Sequence, residues 1–185
     1  RLTVTPTLTD TLGNSLDGNS DGTGGDAFVR NFTVNAIDDV VLEGSGNRGF
    51  SSAAELILVA DSLGTGLFQT ELYGRGSIDP ANERDYFKFS GQAGDRVAIN
   101  VDYLSGSEFD PYINIYSPNG SYLTADDDGG PGGTAFISGF ELTEDGHYFI
   151  EVHDDSLNRS GEYQVRVDLA RGIEMETHQP AGSRS

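Results

Sequence analysis

The chain has no cysteine, no tryptophan, one methionine and few basic residues. Without cysteine no disulfide can cross-link the fold, and a cysteine nucleophile is excluded. No apolar run approaches the roughly 20 residues that a membrane-spanning helix needs, so we expect no membrane insertion. Since 11 lysines and arginines face 30 aspartates and glutamates, the net charge is −19. Such a surface repels nucleic acid.

Glycine, aromatic residues and acidic residues are abundant instead. There are 25 glycines, 10 phenylalanines and 8 tyrosines in 185 residues. Aromatic and β-branched runs separated by glycine-rich turns favour short strands, so we predict an all-β fold. Acidic surfaces attract divalent cations, although negative charge also keeps proteins soluble. The clustering of acids within glycine-rich loops favours metal binding at particular sites.

Apolar residues alternate with polar ones along successive short segments between residues 85 and 169. One example is Ile113 and Ile115, which precede the turn Ser117–Gly120. Several strands of period two at this spacing are typical of a β-sandwich.

The remaining segments are less regular. Residues 1–37 contain two predicted strands, Leu2–Thr5 and Phe28–Val34, which form an additional N-terminal hairpin segment. Residues 38–70 are interpreted as a linker with a first strand or a short helix, and the pattern at Ala53–Leu58 leaves that choice open. Residues 170–185 are expected to be a linker or a disordered tail.

Six pieces of the chain stand in a characteristic order and spacing: Asp85–Phe89, Ala93–Val97, Asp110–Gly120, Ala125–Asp128, Gly146–Val152 and Ser160–Val165. Through these pieces, residues 71–169 resemble the bacterial pre-peptidase C-terminal domain. The resemblance implies a jelly-roll-like antiparallel β-sandwich without catalytic activity, appended to secreted proteases or part of large surface proteins. It also implies that calcium, collagen or other polymers are candidate ligands.

Residues 1–37 contain the stretch Leu12–Asn19, a following Asp/Gly loop and the run Phe28–Val34. Together these pieces resemble the end of a bacterial Ig-like repeat. We therefore expect the chain to be part of a longer protein whose neighbouring modules are its partners.

Two loops have the composition of calcium sites. Calcium takes six to eight oxygen ligands and tolerates backbone carbonyls and water, so a few carboxylates suffice. The first loop matches the start of an EF-hand loop, although Asp/Asn/Gly loops also form plain turns; its predicted ligands are Asp17, Asn19, Asp21 and Asp26. The second is an acidic loop whose alternative is simple solvation; its predicted ligands are Asp126, Asp127 and Asp128, with Asp110, Asp154 and Asp155 approaching from the same end of the sandwich.

Three tyrosines are candidates for contact with a ligand. Tyr112, Tyr116 and Tyr122 lie near predicted loops and could form a platform for sugar rings or peptide, although edge aromatics often simply pack. The histidines are scattered without zinc-site spacing, and no Gly-x-Ser-x-Gly motif is present. We therefore predict no catalytic residues.

The main functional hypothesis is a non-catalytic, calcium-stabilised module of a secreted or cell-surface protein, acting as spacer or adhesive unit. The alternative is a substrate-targeting module of a secreted hydrolase that binds collagen-like peptide or polysaccharide.

Overall fold

The chain divides into two compact units, residues 1–38 and residues 39–185. The structure is a computed structural model, and it describes residues 2–4, 9, 14, 15, 17, 23–25, 28–30, 40–44, 46–104 and 109–173.

The first unit contains an antiparallel pair of strands. Strand β1 (Leu2–Val4) pairs with β2 (Phe28–Arg30), with Leu2 opposite Arg30 and Val4 opposite Phe28. An isolated antiparallel bridge joins Thr9 to Ser15. The predicted N-terminal hairpin segment is confirmed, while residues 31–34 of its second predicted strand lie outside the described residues.

The second unit consists of strands and one turn of 3-10 helix at Phe50–Ser52. In the described part of the chain, no helix is long or apolar enough to cross a membrane. The strands are β3 (Val40–Leu42), β4 (Ala54–Glu55), β5 (Leu58–Ala60), β6 (Leu67–Thr70), β7 (Tyr73–Ile78), β8 (Asp85–Gly91), β9 (Arg96–Tyr103), β10 (Pro111–Tyr116), β11 (Tyr122–Asp126), β12 (Ala135–Glu141), β13 (Gly146–Asp154) and β14 (Gly161–Ala170).

These strands form two sheets that pack face to face. The five-stranded sheet has the order β11-β10-β13-β8-β4. In the seven-stranded sheet, β12, β9 and β14 are neighbours, and β6 and β7 both pair with the other edge of β14. Strands β5 and β3 then extend β6 and β7 outward. Most pairs are antiparallel, which confirms the predicted all-β sandwich, but β3–β7 and β4–β8 are parallel.

The core lies between the sheets and follows from the alternation of apolar side chains. Phe87 and Phe89 of β8 point inward, and Phe87 packs edge-on against Tyr163 with ring centroids 6.2 Å apart. Phe89 stacks on Tyr148 at 5.9 Å. Because successive strand residues face opposite sides, each strand contributes every second residue to this core. The inward residues of the seven-stranded sheet include Val97, Ile99, Val101, Tyr163, Val165, Val167 and Leu169.

The segment that was predicted to be a linker is part of the sandwich. Residues Val40–Leu42 pair in parallel with Tyr73–Arg75, and the Glu43 amide donates to the Arg75 carbonyl at 3.0 Å. The linker prediction was wrong for these residues because three residues are too few to show a periodic pattern. At Ala53–Leu58, the open choice is decided in favour of strands.

The beginning of the predicted tail is also ordered. Ala170 is the last residue of β14, and the Arg171 guanidinium donates to both carboxylate oxygens of Asp95 at 2.8 and 2.7 Å. Asp95 is buried, and Arg171 also lies over the Phe68 ring at 4.7 Å. A two-point contact between a guanidinium and a carboxylate is directional, so it fixes the end of β14 against the turn before β9.

The alternation of inward and outward residues predicts that substitutions on the two faces of a strand change the free energy of unfolding by different amounts. Ile99→Ala removes a fully buried side chain and should lower the free energy of unfolding by about 2–5 kcal/mol. Gln164→Ala on the neighbouring strand removes an outward side chain and should change it by less than about 0.5 kcal/mol. Urea unfolding followed by circular dichroism measures both, and equal losses would contradict the assignment of faces.

Candidate functional site

A hydrogen bond joins the two sheets inside the core. Asp85 begins β8 and is 1% exposed, and its Oδ2 accepts from the Tyr163 hydroxyl of β14 at 2.7 Å. The Asp85 Oδ1 is buried and receives no hydrogen bond from any donor in the described residues. Burying a carboxylate oxygen without a hydrogen-bond donor costs free energy. A proton or a cation at this atom would lower that cost.

A second carboxylate faces Asp85. Glu43 follows β3, and its Oε1 accepts from the Ser77 amide at 2.8 Å and from the Ser77 hydroxyl at 3.2 Å. The other oxygen, Oε2, lies 3.5 Å from the Tyr163 hydroxyl. Tyr163 therefore contacts both carboxylates, and Glu43 ties the edge strand β3 to the core.

The surroundings of Asp85 favour its protonated form. Burial, followed by the hydrogen bond with Glu43 and the negative charges of Glu43 and Glu83, raises the pKa of Asp85 from 3.8 to about 8, although the Tyr163 hydrogen bond opposes the change. Burial and the charge of Asp85 raise the pKa of Tyr163 well above 10. At neutral pH, without a cation, Asp85 is therefore mainly protonated.

Glu43 also lines an open cleft of about 670 Å³ at the edge of the sandwich. Asn47 in this cleft is buried, and its side-chain nitrogen has no hydrogen-bonding partner in the part of the chain that is described. Glu83 accepts from the Asp79 amide at 3.1 Å and pairs with Arg48. We call Glu43, Asn47, Asp79 and Glu83, which line the cleft, together with the buried Asp85 that faces Glu43, the acidic cleft.

The acidic cleft has the donor types that calcium prefers, namely carboxylate and amide oxygens. Within the described ranges, however, no three acidic or histidine side chains are gathered closely enough to hold a metal. A cation there would have to draw in Glu83 from its ion pair with Arg48. This group could not be recognised in the sequence because its members are spread between residues 43 and 85, and no local spacing marks them.

In the predicted acidic loop, Asp126 organises the backbone. It is the last residue of β11, and its Oδ2 accepts from the amides of Gly129 and Phe136 at 2.9 and 2.7 Å. This carboxylate therefore connects the loop to β12. Asp127 accepts from the Asp128 amide at 2.9 Å.

The other predicted acidic ligands lie at the same end. Asp154 is fully buried, and its oxygens accept from the amides of Asp110, Asn158 and Arg159 at 3.0–3.2 Å. The Arg159 guanidinium also pairs with Asp110 at 3.2 Å. Burial, and then the nearby charge of Asp128, raise the pKa of Asp110, with smaller contributions from Asp155 and Asp154 and an opposing one from Arg159. These carboxylates meet, but amides and Arg159 already neutralise much of their charge.

The N-terminal loop is barely covered by the structure. Asp17 is described, whereas Asn19, Asp21 and Asp26 lie outside the described residues. Calcium binding at this loop and at Asp126–Asp128 stays a prediction.

The predicted tyrosines lie on the outer face of the five-stranded sheet, and Tyr112 and Tyr116 belong to β10 rather than to loops. Tyr112 stacks on His153 with centroids 4.8 Å apart. Tyr116 donates to the Glu151 carboxylate at 2.9 Å and packs edge-on against Tyr122 at 6.1 Å. Tyr122, at the edge strand, remains 59% exposed.

Glu151 is the centre of a polar cluster on this face that the sequence did not reveal. It is 3% exposed although it points away from the core. The Tyr86 and Tyr116 hydroxyls both donate to its Oε2, at 2.6 and 2.9 Å, and Arg84 pairs with Oε1. Although burial opposes ionisation, these hydrogen bonds and the Arg84 charge lower the pKa of Glu151.

Comparison with known proteins identifies the central part of the chain. Residues 83–154 match the sequence profile of the bacterial pre-peptidase C-terminal domain, within the range predicted from the motifs. Domains of this family are non-catalytic modules often attached to secreted proteases such as collagenase. No curated protein matches the chain.

Solved structures are similar at low identity. The pre-peptidase C-terminal domain of a collagenase from Bacillus anthracis is 15% identical, with 61% of this chain and 91% of that chain covered and a TM-score of 0.44. PliG from Aeromonas hydrophila, a periplasmic inhibitor of g-type lysozyme, is 16% identical, with coverage of 63% and 98% and a TM-score of 0.38.

The raised pKa of Asp85 predicts a stability that falls with pH. Below about pH 4 both the folded and the unfolded chain hold this proton, and between about pH 4 and pH 8 only the folded chain keeps it. In chelator, this group should therefore lower the free energy of unfolding as pH rises, by at most about 1.4 kcal/mol per pH unit. Asp85→Asn should remove this contribution.

Urea unfolding at intervals between pH 5 and pH 8 measures the effect as the difference between wild type and Asp85→Asn. Asp155→Asn makes the same substitution at an exposed aspartate and serves as control. If Asp85→Asn followed the wild-type pH dependence, the proton would not reside on Asp85.

Proposed function

Because residues 83–154 belong to the bacterial pre-peptidase C-terminal domain family, we propose that the chain is a non-catalytic accessory module of a secreted or cell-surface protein. It acts as a spacer or adhesive unit beside neighbouring modules, and calcium stabilises its fold. The family match supports the module role. The observation that carries the calcium proposal is the buried Asp85 oxygen that no donor reaches among the described residues.

Calcium would be held in the acidic cleft, by the carboxylates of Glu43, Asp85 and Glu83 with the side-chain oxygen of Asn47. Two adjacent carboxylates repel each other when both are ionised, and a divalent ion between them would replace the proton on Asp85. Bound there, the ion would connect β3 to β8. The net charge of −19 favours accumulation of cations around the whole module.

The loop at Asp126–Asp128 is the second candidate position. It has less need of an ion, because backbone amides already contact Asp126 and Asp154, and Arg159 lies beside Asp110. Substitutions at each of the two candidate positions can show which of them binds calcium.

Calcium should raise the melting temperature of wild type relative to chelator. At free calcium 100 times the dissociation constant, the stabilisation is about 2.7 kcal/mol. Glu43→Gln and Asp85→Asn should lose this increment, whereas Asp127→Asn with Asp128→Asn should keep it. Differential scanning calorimetry with calcium and with chelator measures all four proteins.

Equal melting temperatures of wild type under both conditions would remove calcium from the proposal. An increment that survives Glu43→Gln but disappears with the double substitution would move the ion to the acidic loop.

A second candidate function is substrate targeting by the outer face of the five-stranded sheet. The exposed Tyr122 beside Tyr116, and the Tyr112–His153 stack, favour it, because flat aromatic surfaces contact sugar rings and peptides well. The ligands would be collagen-like peptide or polysaccharide.

If this face binds such polymers, Tyr122→Ala should weaken retention by at least about tenfold. Tyr103→Ala is the matched control, since Tyr103 is a partly exposed tyrosine on the other sheet. Co-sedimentation with insoluble collagen and with insoluble polysaccharides measures retention. No binding by wild type, or equal loss in both variants, would reject the targeting role.

A further inference from the structure

Phe50 occupies an aromatic box on the outer face of the five-stranded sheet. Its ring centroid lies 5.5 Å from that of Tyr86, 5.1 Å from that of Tyr116 and 4.6 Å from that of Phe149. We call these three residues the box. The occupant belongs to another part of the chain, residues 46–53, which we call the strap.

The walls of the box are held independently of Phe50. The Tyr86 and Tyr116 hydroxyls are both fixed on Glu151, at 2.6 and 2.9 Å, and Phe149 lies two residues before Glu151 on the same strand face. If Phe50 left, these hydrogen bonds would remain. The box is therefore preorganised, which lowers the entropy lost on binding a ring.

The strap is attached to the rest of the fold mainly near its two ends, where Asn47 and Ala53 are buried and Arg48 pairs with Glu83. Over residues 48–52, the hydrogen bonds of the described backbone stay within the strap: the amides of Ser52 and Ala53 donate to the carbonyls of Gly49 and Phe50. The nearest backbone hydrogen bond to the sheet runs from the Tyr86 amide to the Asn47 carbonyl. Gly46 has a φ of +114°, which favours glycine. Segments with few hydrogen bonds to the rest of a fold open locally at low free energy.

We propose that the box is a binding site for an aromatic side chain of a partner peptide, and that Phe50 covers it as a tethered lid. The chemistry of the ligand is inferred from Phe50 itself, an aromatic ring between the small residues Gly49 and Ser51. A tethered group competes at an effective concentration in the millimolar range. A partner ring must therefore displace Phe50, and removal of Phe50 should increase its affinity.

The probe is a blocked tetrapeptide that copies residues 49–52, Gly-Phe-Ser-Ser, and the control peptide has alanine in place of phenylalanine. Binding to the full chain is measured by NMR titration of the box tyrosines. Phe50→Ala should bind the probe at least about tenfold more tightly than wild type, and neither protein should bind the control peptide. A cavity lined by fixed aromatic walls can accept small aromatic molecules.

Two outcomes would overturn the proposal. If a folded Phe50→Ala protein does not bind the probe, the box is not a binding site for an aromatic side chain. If wild type and Phe50→Ala bind the probe with equal affinity, Phe50 does not act as a lid.

If Phe50→Ala fails to fold, wild type provides the test. Excess probe should accelerate tryptic cleavage after Arg48, in the strap, by displacing Phe50, while cleavage after Arg159 stays unchanged. Mass spectrometry of the fragments measures both rates. Cleavage after Arg48 that is unaffected by the probe would also overturn the proposal.

Discussion

The hydrogen bond between Tyr163 and Asp85 places a carboxylate inside the sandwich, and the arrangement of the sandwich edge depends on it. Because Asp85 is excluded from water, it is either protonated or needs a partner for its negative charge. Glu43 faces it, and Ser77 fixes Glu43 through an amide and a hydroxyl. The edge strand β3 is thus held by a polar contact in the core as well as by its short ladder with β7. Its attachment depends on what neutralises the two carboxylates.

Acidic residues serve a different purpose at the other end of the sandwich. Asp126 and Asp154 accept hydrogen bonds from backbone amides of loops that lack regular partners, and Arg159 balances Asp110. Amide donors stabilise an ionised carboxylate, so a carboxylate surrounded by them has less need of a bound ion. The number of donors around a buried carboxylate, rather than the number of acids in a loop, therefore distinguishes an organising residue from a candidate cation ligand.

The strands between residues 85 and 169 could be predicted because their signal is local. Phe87 and Phe89, or Ile113 and Ile115, show a period of two within a few residues, and both pairs are buried. The acidic cleft could not be predicted, because Glu43 and Asp85 are 42 residues apart and meet only through the parallel pairing of β3 with β7. The role of Glu151 could not be predicted from the sequence either, since an acidic residue that points outward from a strand is usually solvated. Its burial depends on Tyr86 and Tyr116 from the two neighbouring strands.

The segment between β3 and β4 connects these features. It leaves the seven-stranded sheet at Glu43, passes Asn47 in the cleft, and reaches the outer face of the five-stranded sheet at Phe50. One short segment therefore contributes both to the acidic cleft and to the cover of the box. In the part of the chain that the structure describes, the core is filled mainly by aliphatic and aromatic side chains, so the edges and outer faces are the surfaces open to a ligand. Some of the buried polar groups lie at these surfaces, among them Asn47 at one edge and Glu151 on one face.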